Sequence, residues 1–196
     1  MRLALSRCLA MTTLLTVFAA CSGPTKTAKV VTPAINLRVA ITNVDSLDPI
    51  TAVGEGSQLI LRTACDGLVA LDQEGVVRPA LAESWTVSQG GRKLTLRLRG
   101  KTRFLDGTDV DAEAVADALN RVVRLESASP WANLLSSVQG FEDVRSGAQA
   151  RLSGVTAPDN RTVAITTSQP FSDLVANLAH TALIPTSPRD DGAATP

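Results

Sequence analysis

Apolar and polar positions alternate in three stretches that predict strands. Leu37, Val39 and Ile41 alternate around Arg38 and Ala40. Leu94, Leu96 and Leu98 fall opposite Thr95, Arg97 and Arg99. Thr162-Val163-Ala164-Ile165-Thr166 repeats the pattern. A period of two puts one set of side chains in a core and the other in water. Trp85 to Ser88 precedes the second stretch across Gln89-Gly90-Gly91 and predicts a hairpin. Leu68–Leu71 and Val76-Val77 flank Asp72-Gln73-Glu74-Gly75, a hairpin-type turn.

Helical spacing is strongest from Asp111 to Arg124. Val115, Ala118, Leu119 and Val122 share one face, Asp111 suits the N-cap, Glu113 complements the positive helix end, and Arg121 and Arg124 the negative one. Pro130 ends any continuation. Shorter helices are expected over Ser57–Ala64, capped by Ser57, and over Ser172–Leu178 after Pro170-Phe171. Asn43–Pro49, Asp106-Gly107 and Pro158-Asp159-Asn160 read as turns. The class is α+β, with short strands and a few modest helices.

Before the first stretch the pattern is of a different kind. Arg2 and Arg7 precede an uncharged, mostly apolar run from Leu9 to Ala20, closed by Phe18-Ala19-Ala20-Cys21. This describes a secretory signal peptide over residues 1–20, too short to cross a bilayer as a helix. Phe-Ala-Ala-Cys resembles the lipobox of bacterial lipoproteins, which makes Cys21 the lipidation site and new N-terminus. Residues 21–35 are small, polar and Pro-punctuated, a tether from the membrane. Residues 186–196 carry no periodicity and are expected to be a disordered tail.

Without its first 20 residues the chain has 176 residues, with 17 basic and 19 acidic side chains and a net charge of −2. No basic cluster suits nucleic acid, which excludes that class of partner. Cys65 would remain as the lone thiol, unable to form an internal disulfide, and reads as a small hydrophobe. His180, the sole histidine, sits among apolar neighbours and reads as structural. Asp45 and Asp48 are close enough to suggest paired carboxylates, but Leu-Asp-Pro is ordinary turn chemistry. Gly90-Gly91 lacks the strand-to-helix setting of a phosphate loop. The expectation is therefore no enzyme, no metal and no cofactor.

Leu81-Ala82-Glu83-Ser84-Trp85, Leu94 to Arg99, then Phe104-Leu105-Asp106-Gly107 and Asp111 to Val115 resemble, in that order, a run of motifs in the family 5 solute-binding proteins of bacterial ABC importers. Leu47-Asp48-Pro49, Asp66-Gly67-Leu68-Val69, Gly140-Phe141, Gly154-Val155, Thr162-Val163 and Pro170-Phe171 extend the likeness on both sides. The resemblance spans Asn36 to Pro185. Cys65 departs from it, standing where the family has an aromatic, as does Ala114, where the helix usually has an aspartate.

The likeness implies a partial solute-binding domain over residues 36–185, the N-terminal portion of a periplasmic-binding-protein-like fold that in the family has two lobes. It implies a lipoprotein exported to the outer face of the membrane or the periplasm. Implied partners are an oligopeptide or other small solute (nickel, sugars and opines also occur in the family), ABC permease subunits and the membrane. The resemblance places the loop after the first strand at the solute cleft, so Asn43, Asp45 and Ser46 are the candidate ligand contacts. Because the chain stops before the family's second lobe, two further expectations stand beside solute capture: a truncated remnant that folds only this part, and a surface-interaction lipoprotein.

Overall fold

The computed structural model describes residues 37–187. The expected signal peptide, Cys21, the tether and residues 188–196 lie outside the described residues. Leu37–Val39 have no regular secondary structure and are exposed. Residues 40–187 build a four-stranded antiparallel sheet, a separate hairpin and short helices.

The sheet comprises β3 (Ala82–Ser88), β4 (Lys93–Leu98), β5 (Val155–Asp159) and β6 (Thr162–Thr166), ordered β3-β4-β6-β5. Its register follows from the alternation. Leu94 lies between Val87 and Ile165, and Leu96 between Trp85 and Val163, so these apolar rows share the core side, with Val87 half exposed on the edge strand. Leu94, Leu96 and Ile165 are fully buried, each contributing about 1.5–3 kcal/mol. On the other face Thr86, Thr95, Ala164 and Thr156 stand side by side across all four strands.

Helix α2 (Ala112–Val123) packs on β5 and β6 and buries Val115, Leu119 and Val122 completely. Asp111 caps it, its carboxylate accepting the Ala114 N–H at 2.8 Å. Asn120 is also buried in this interface without a penalty. Its amide donates to the Ala116 carbonyl at 2.7 Å and its oxygen accepts the Leu152 N–H at 2.6 Å.

The smaller hairpin pairs β1 (Val69–Leu71) with β2 (Val77–Pro79). Asp72 organises the expected turn, accepting the Glu74 and Val76 N–H groups and pairing with Arg78 at 2.7 Å. The remaining helices are α1 (Glu55–Ala64), α3 (Phe141–Arg145) and α4 (Leu174–Asn177), joined by 3-10 turns.

The fold class holds, but local expectations need correction. Residues 37–41 alternate as predicted yet form no strand: among the described residues no strand pairs with them, and Leu37, Val39 and Ile41 are exposed. Pro158 and Asp159 are the last residues of β5, an edge strand where a missing N–H is tolerated, and the turn shifts to Asn160-Arg161. The helix expected over Ser172–Leu178 shrinks to α4. The long helix, by contrast, runs between its Asp111 and Arg124 caps as expected. The expected tail begins too early, since Ser187 is buried and hydrogen-bonded to Asp106.

Candidate functional site

The loop carrying Asn43, Asp45 and Ser46 folds back on the first turn of α1. That contact requires glycine. A Cβ on Gly54 would lie 2.3 Å from the Asn43 carbonyl oxygen, and one on Gly56 would lie 2.5 Å from that of Thr42. Two missing side chains thus let backbone rest on backbone. Asn43 itself has φ +57°, a left-handed conformation that asparagine tolerates better than most residues.

Ser57 and Asp45 then lock the loop. The fully buried Ser57 hydroxyl accepts the N–H groups of Asp45 and Ser46 at 3.0 and 3.2 Å and donates to Asp45 Oδ1 at 2.6 Å. The other carboxylate oxygen, Oδ2, accepts the Val53 N–H at 2.9 Å, while Oδ1 also accepts that of Gly54. The Ser57 hydroxyl and these two N–H groups stabilise the anion and hold the Asp45 carboxyl well below the usual carboxylate range. Ser57 was expected to cap α1. Instead Gly54 occupies the cap position without a side-chain bond, and Ser57, inside the first turn, turns its hydroxyl toward the loop.

The three candidate contacts are therefore neighbours with unequal freedom. Asp45 is fully engaged. The Ser46 hydroxyl accepts the Asp48 N–H at 3.1 Å and shares a hydrogen bond with Thr51. Only Asn43 presents an exposed side-chain amide without a hydrogen bond.

Asp48 was read as turn chemistry, and it does accept the Ile50 N–H. Its second oxygen also pairs with Arg121 of α2 at 2.6 Å, both side chains being mostly buried. Seventy-three residues separate the partners, so local pattern could not reveal the pair, and Arg121 in the last helical turn was already accounted for by the helix dipole.

The pair stands between two open clefts. One, of about 630 Å³, mixes polar and apolar groups and reaches Thr51, Asp117, Arg124 and Glu126. The other, of about 740 Å³, is lined by Leu47, Leu61, Cys65, Phe104, Leu105 and Ile184 among others. Burial, with the nearby Asp66 charge, pushes the Cys65 thiol up, which leaves it protonated and a poor nucleophile.

His180 packs on Trp131 with ring centroids 4.3 Å apart, and its Nδ1 accepts the Ala182 N–H. Burial and the Arg62 charge push its pKa down. It is a structural ring at the start of the 3-10 turn Thr181–Leu183. Among the described residues no group of three or more His, Cys, Asp or Glu is placed to hold a metal ion, and no helix is long and apolar enough to cross a membrane.

The described region is thus a four-stranded sheet backed by one long helix, with a polar-locked loop beside two clefts. The family model for bacterial extracellular solute-binding proteins, family 5 middle, matches residues 76–196, and the chain belongs to that family. The glutathione-binding protein GsiB of Escherichia coli O6:K15:H31 is 37% identical over 156 residues, covering 79% of this chain and 28% of its own. The chain thus spans less than a third of the length of that relative.

Solved structures agree. The pheromone receptor PrgZ, described with its mode of peptide binding, superposes with a TM-score of 0.72 at 32% identity over 76% of this chain and 30% of its own. The OppA protein of Haemophilus influenzae, solved with the peptide RPPGFSPFR, superposes with a TM-score of 0.68 at 30% identity over 72% and 28%. The recognised family and the periplasmic-binding-protein-like fold expected from the sequence are those found.

Proposed function

We propose that this chain is the N-terminal part of the substrate-binding component of an ABC importer for peptide-type solutes. It captures solute without catalysis and delivers it to permease subunits. Lipid on Cys21 holds it at the outer face of the cell membrane. The observation that carries this reading is the joint likeness, over one continuous region, to a glutathione-binding protein and to receptors solved as peptide binders.

Glutathione and short peptides share amide groups along a flexible backbone. Holding such a molecule calls for donors and acceptors that are already fixed, because ordering both partners on binding costs affinity. The Asn43–Leu47 loop meets that need. Asp45 and Ser46 serve the site by fixing the loop, and the free amide of Asn43 with the neighbouring main chain makes the direct contact.

Two measurements test this. Mass spectrometry of the membrane fraction is expected to find Cys21 acylated as the first residue; an unmodified chain beginning at Met1 would overturn the anchoring. Calorimetry of the lipid-free chain with glutathione and with a mixture of short peptides is expected to give a saturable signal. No heat with either probe, while a sugar or a nickel salt gives one, would overturn the solute class.

A further inference from the structure

Charge is least evenly spread along β4 and its flanking turns. From Ser84 to Leu105 the chain carries six basic side chains, Arg92, Lys93, Arg97, Arg99, Lys101 and Arg103, and no acidic one. The other described residues carry eight basic and seventeen acidic side chains. A nearly neutral composition therefore conceals a basic strand in an acidic body.

Because Leu94, Leu96 and Leu98 are buried in the core, Lys93, Thr95 and Arg97 fall on the open face, followed by Arg99 just past the strand end. Their neighbours across the sheet are hydroxyl residues. Ser88 and Thr166 flank Lys93, and Ser84 and Thr162 flank Arg97. Acids answer some of the cations: Asp159 pairs with Arg97 at 3.4 Å, Glu83 with Arg161 at 3.0 Å and Asp109 with Arg103 at 3.1 Å. Arg99 donates to the Ala80 carbonyl at 2.6 Å. Arg92, Lys93 and Lys101 have no side-chain partner among the described residues.

Lys93 and Arg99 stand about 20 Å apart along an extended strand, too far for one small anion to touch both. None of the large exposed apolar residues and no aromatic ring lies on this face. It therefore has neither the anchor of a protein partner nor a stacking platform for bases. A flat array of hydroxyls and spaced cations matches an extended anionic layer. We propose that the open face of the sheet docks on the phosphate headgroups of an anionic lipid bilayer. Arg92, Lys93, Arg99 and Lys101 supply the attraction, and the serine and threonine hydroxyls supply hydrogen bonds. The inference rests on the proposed function only in placing the chain at the outer face of the cell membrane, where lipid on Cys21 keeps the headgroups within reach.

The test sediments the lipid-free chain with vesicles of phosphatidylcholine and phosphatidylglycerol in equal parts, at low salt. Binding is expected, absent from pure phosphatidylcholine and lost as salt is raised. The triple variant Arg92→Gln/Lys93→Gln/Lys101→Gln is expected to weaken it about ten-fold or more, since each basic residue near an anionic bilayer strengthens attachment several-fold. Its unfolding midpoint is expected to match that of the parent chain. Arg62→Gln, on α1, removes the same kind of charge elsewhere and leaves binding unchanged. Glu83→Gln frees Arg161 and is expected to strengthen binding, a gain that misfolding cannot mimic. No binding, equal binding to neutral vesicles, indifference to the triple variant, or tighter binding to duplex DNA than to vesicles would overturn the proposal. Vesicle binding by a chain whose Cys21 proves unmodified in cells keeps the docking face and counts against the proposed anchoring; an acylated Cys21 without vesicle binding does the reverse.

Discussion

The sheet with α2 and the Asn43–Ser57 segment are both well determined, but by different forces. In the sheet, Leu94, Leu96, Ile165 and Leu119 are fixed because water is expelled around them. Over Asn43–Ser57 Ile50 and Ala52 are buried, but Val44, Leu47 and Val53 are exposed. That segment is held by a carboxylate, a hydroxyl and two glycines whose requirements interlock. Hydrophobic packing tolerates adjustment by neighbouring side chains, whereas a reciprocal hydrogen-bond set fails when one member is removed. On the proposed function, this second kind of order keeps the polar groups of the Asn43–Leu47 loop rigid while most of the loop stays exposed.

The comparison is broken most forcefully from the core. Leu96→Ala is expected to cost about 2–5 kcal/mol in urea unfolding, since a fully buried side chain leaves a cavity. It is expected to lower protection of β3, β4 and β6 amides together. Loss confined to β4 would show that the sheet is not one cooperative unit.

Next come the two members of the lock. Ser57→Ala is expected to cost about 1–3 kcal/mol, because it leaves the Asp45 and Ser46 N–H groups without their acceptor. Gly54→Ala is expected to cost a similar 1–3 kcal/mol or so by forcing its Cβ against the Asn43 carbonyl. In both, hydrogen exchange should accelerate at residues 45, 46, 53 and 54 with the sheet amides unchanged. Uniform acceleration would merge the two regions into one.

Asp111→Ala is smaller, about 1 kcal/mol, the usual value of an N-cap, and is checked by the urea midpoint. The smallest effect is the response to pH through His180. Its folded pKa lies below the unfolded value near 6.5, so the folded state favours the neutral ring. The stability contributed is present above that unfolded value and is lost as pH falls through it toward the folded one. His180→Gln should flatten that part of a thermal stability profile; an unchanged slope would remove His180 from the account.

What the sequence disclosed divides along the same line. Period-two leucines in β4, the spacing of α2 and the Asp111 cap were legible because each is settled within a few residues. The family was legible from motif order. Ser57 as a lock was not, because a serine at the start of a helical pattern looks like a cap whichever way its hydroxyl turns. The Asp48–Arg121 pair was hidden by separation along the chain. Residues 37–41 carry a strand's alternation, but pairing needs a neighbour, which no local pattern contains. Asp45 and Ser46 stand as candidate contacts from the family likeness, and their side chains bond to the loop that they fix.

The most direct test is a titration of the chain with glutathione, followed by amide chemical shifts. Saturable shifts are expected at residues 43–47, with β3, β4, β5 and β6 unmoved. Shifts centred on the open face of the sheet at Thr86, Thr95 and Thr156, or none at Asn43 to Leu47 at saturation, would contradict it.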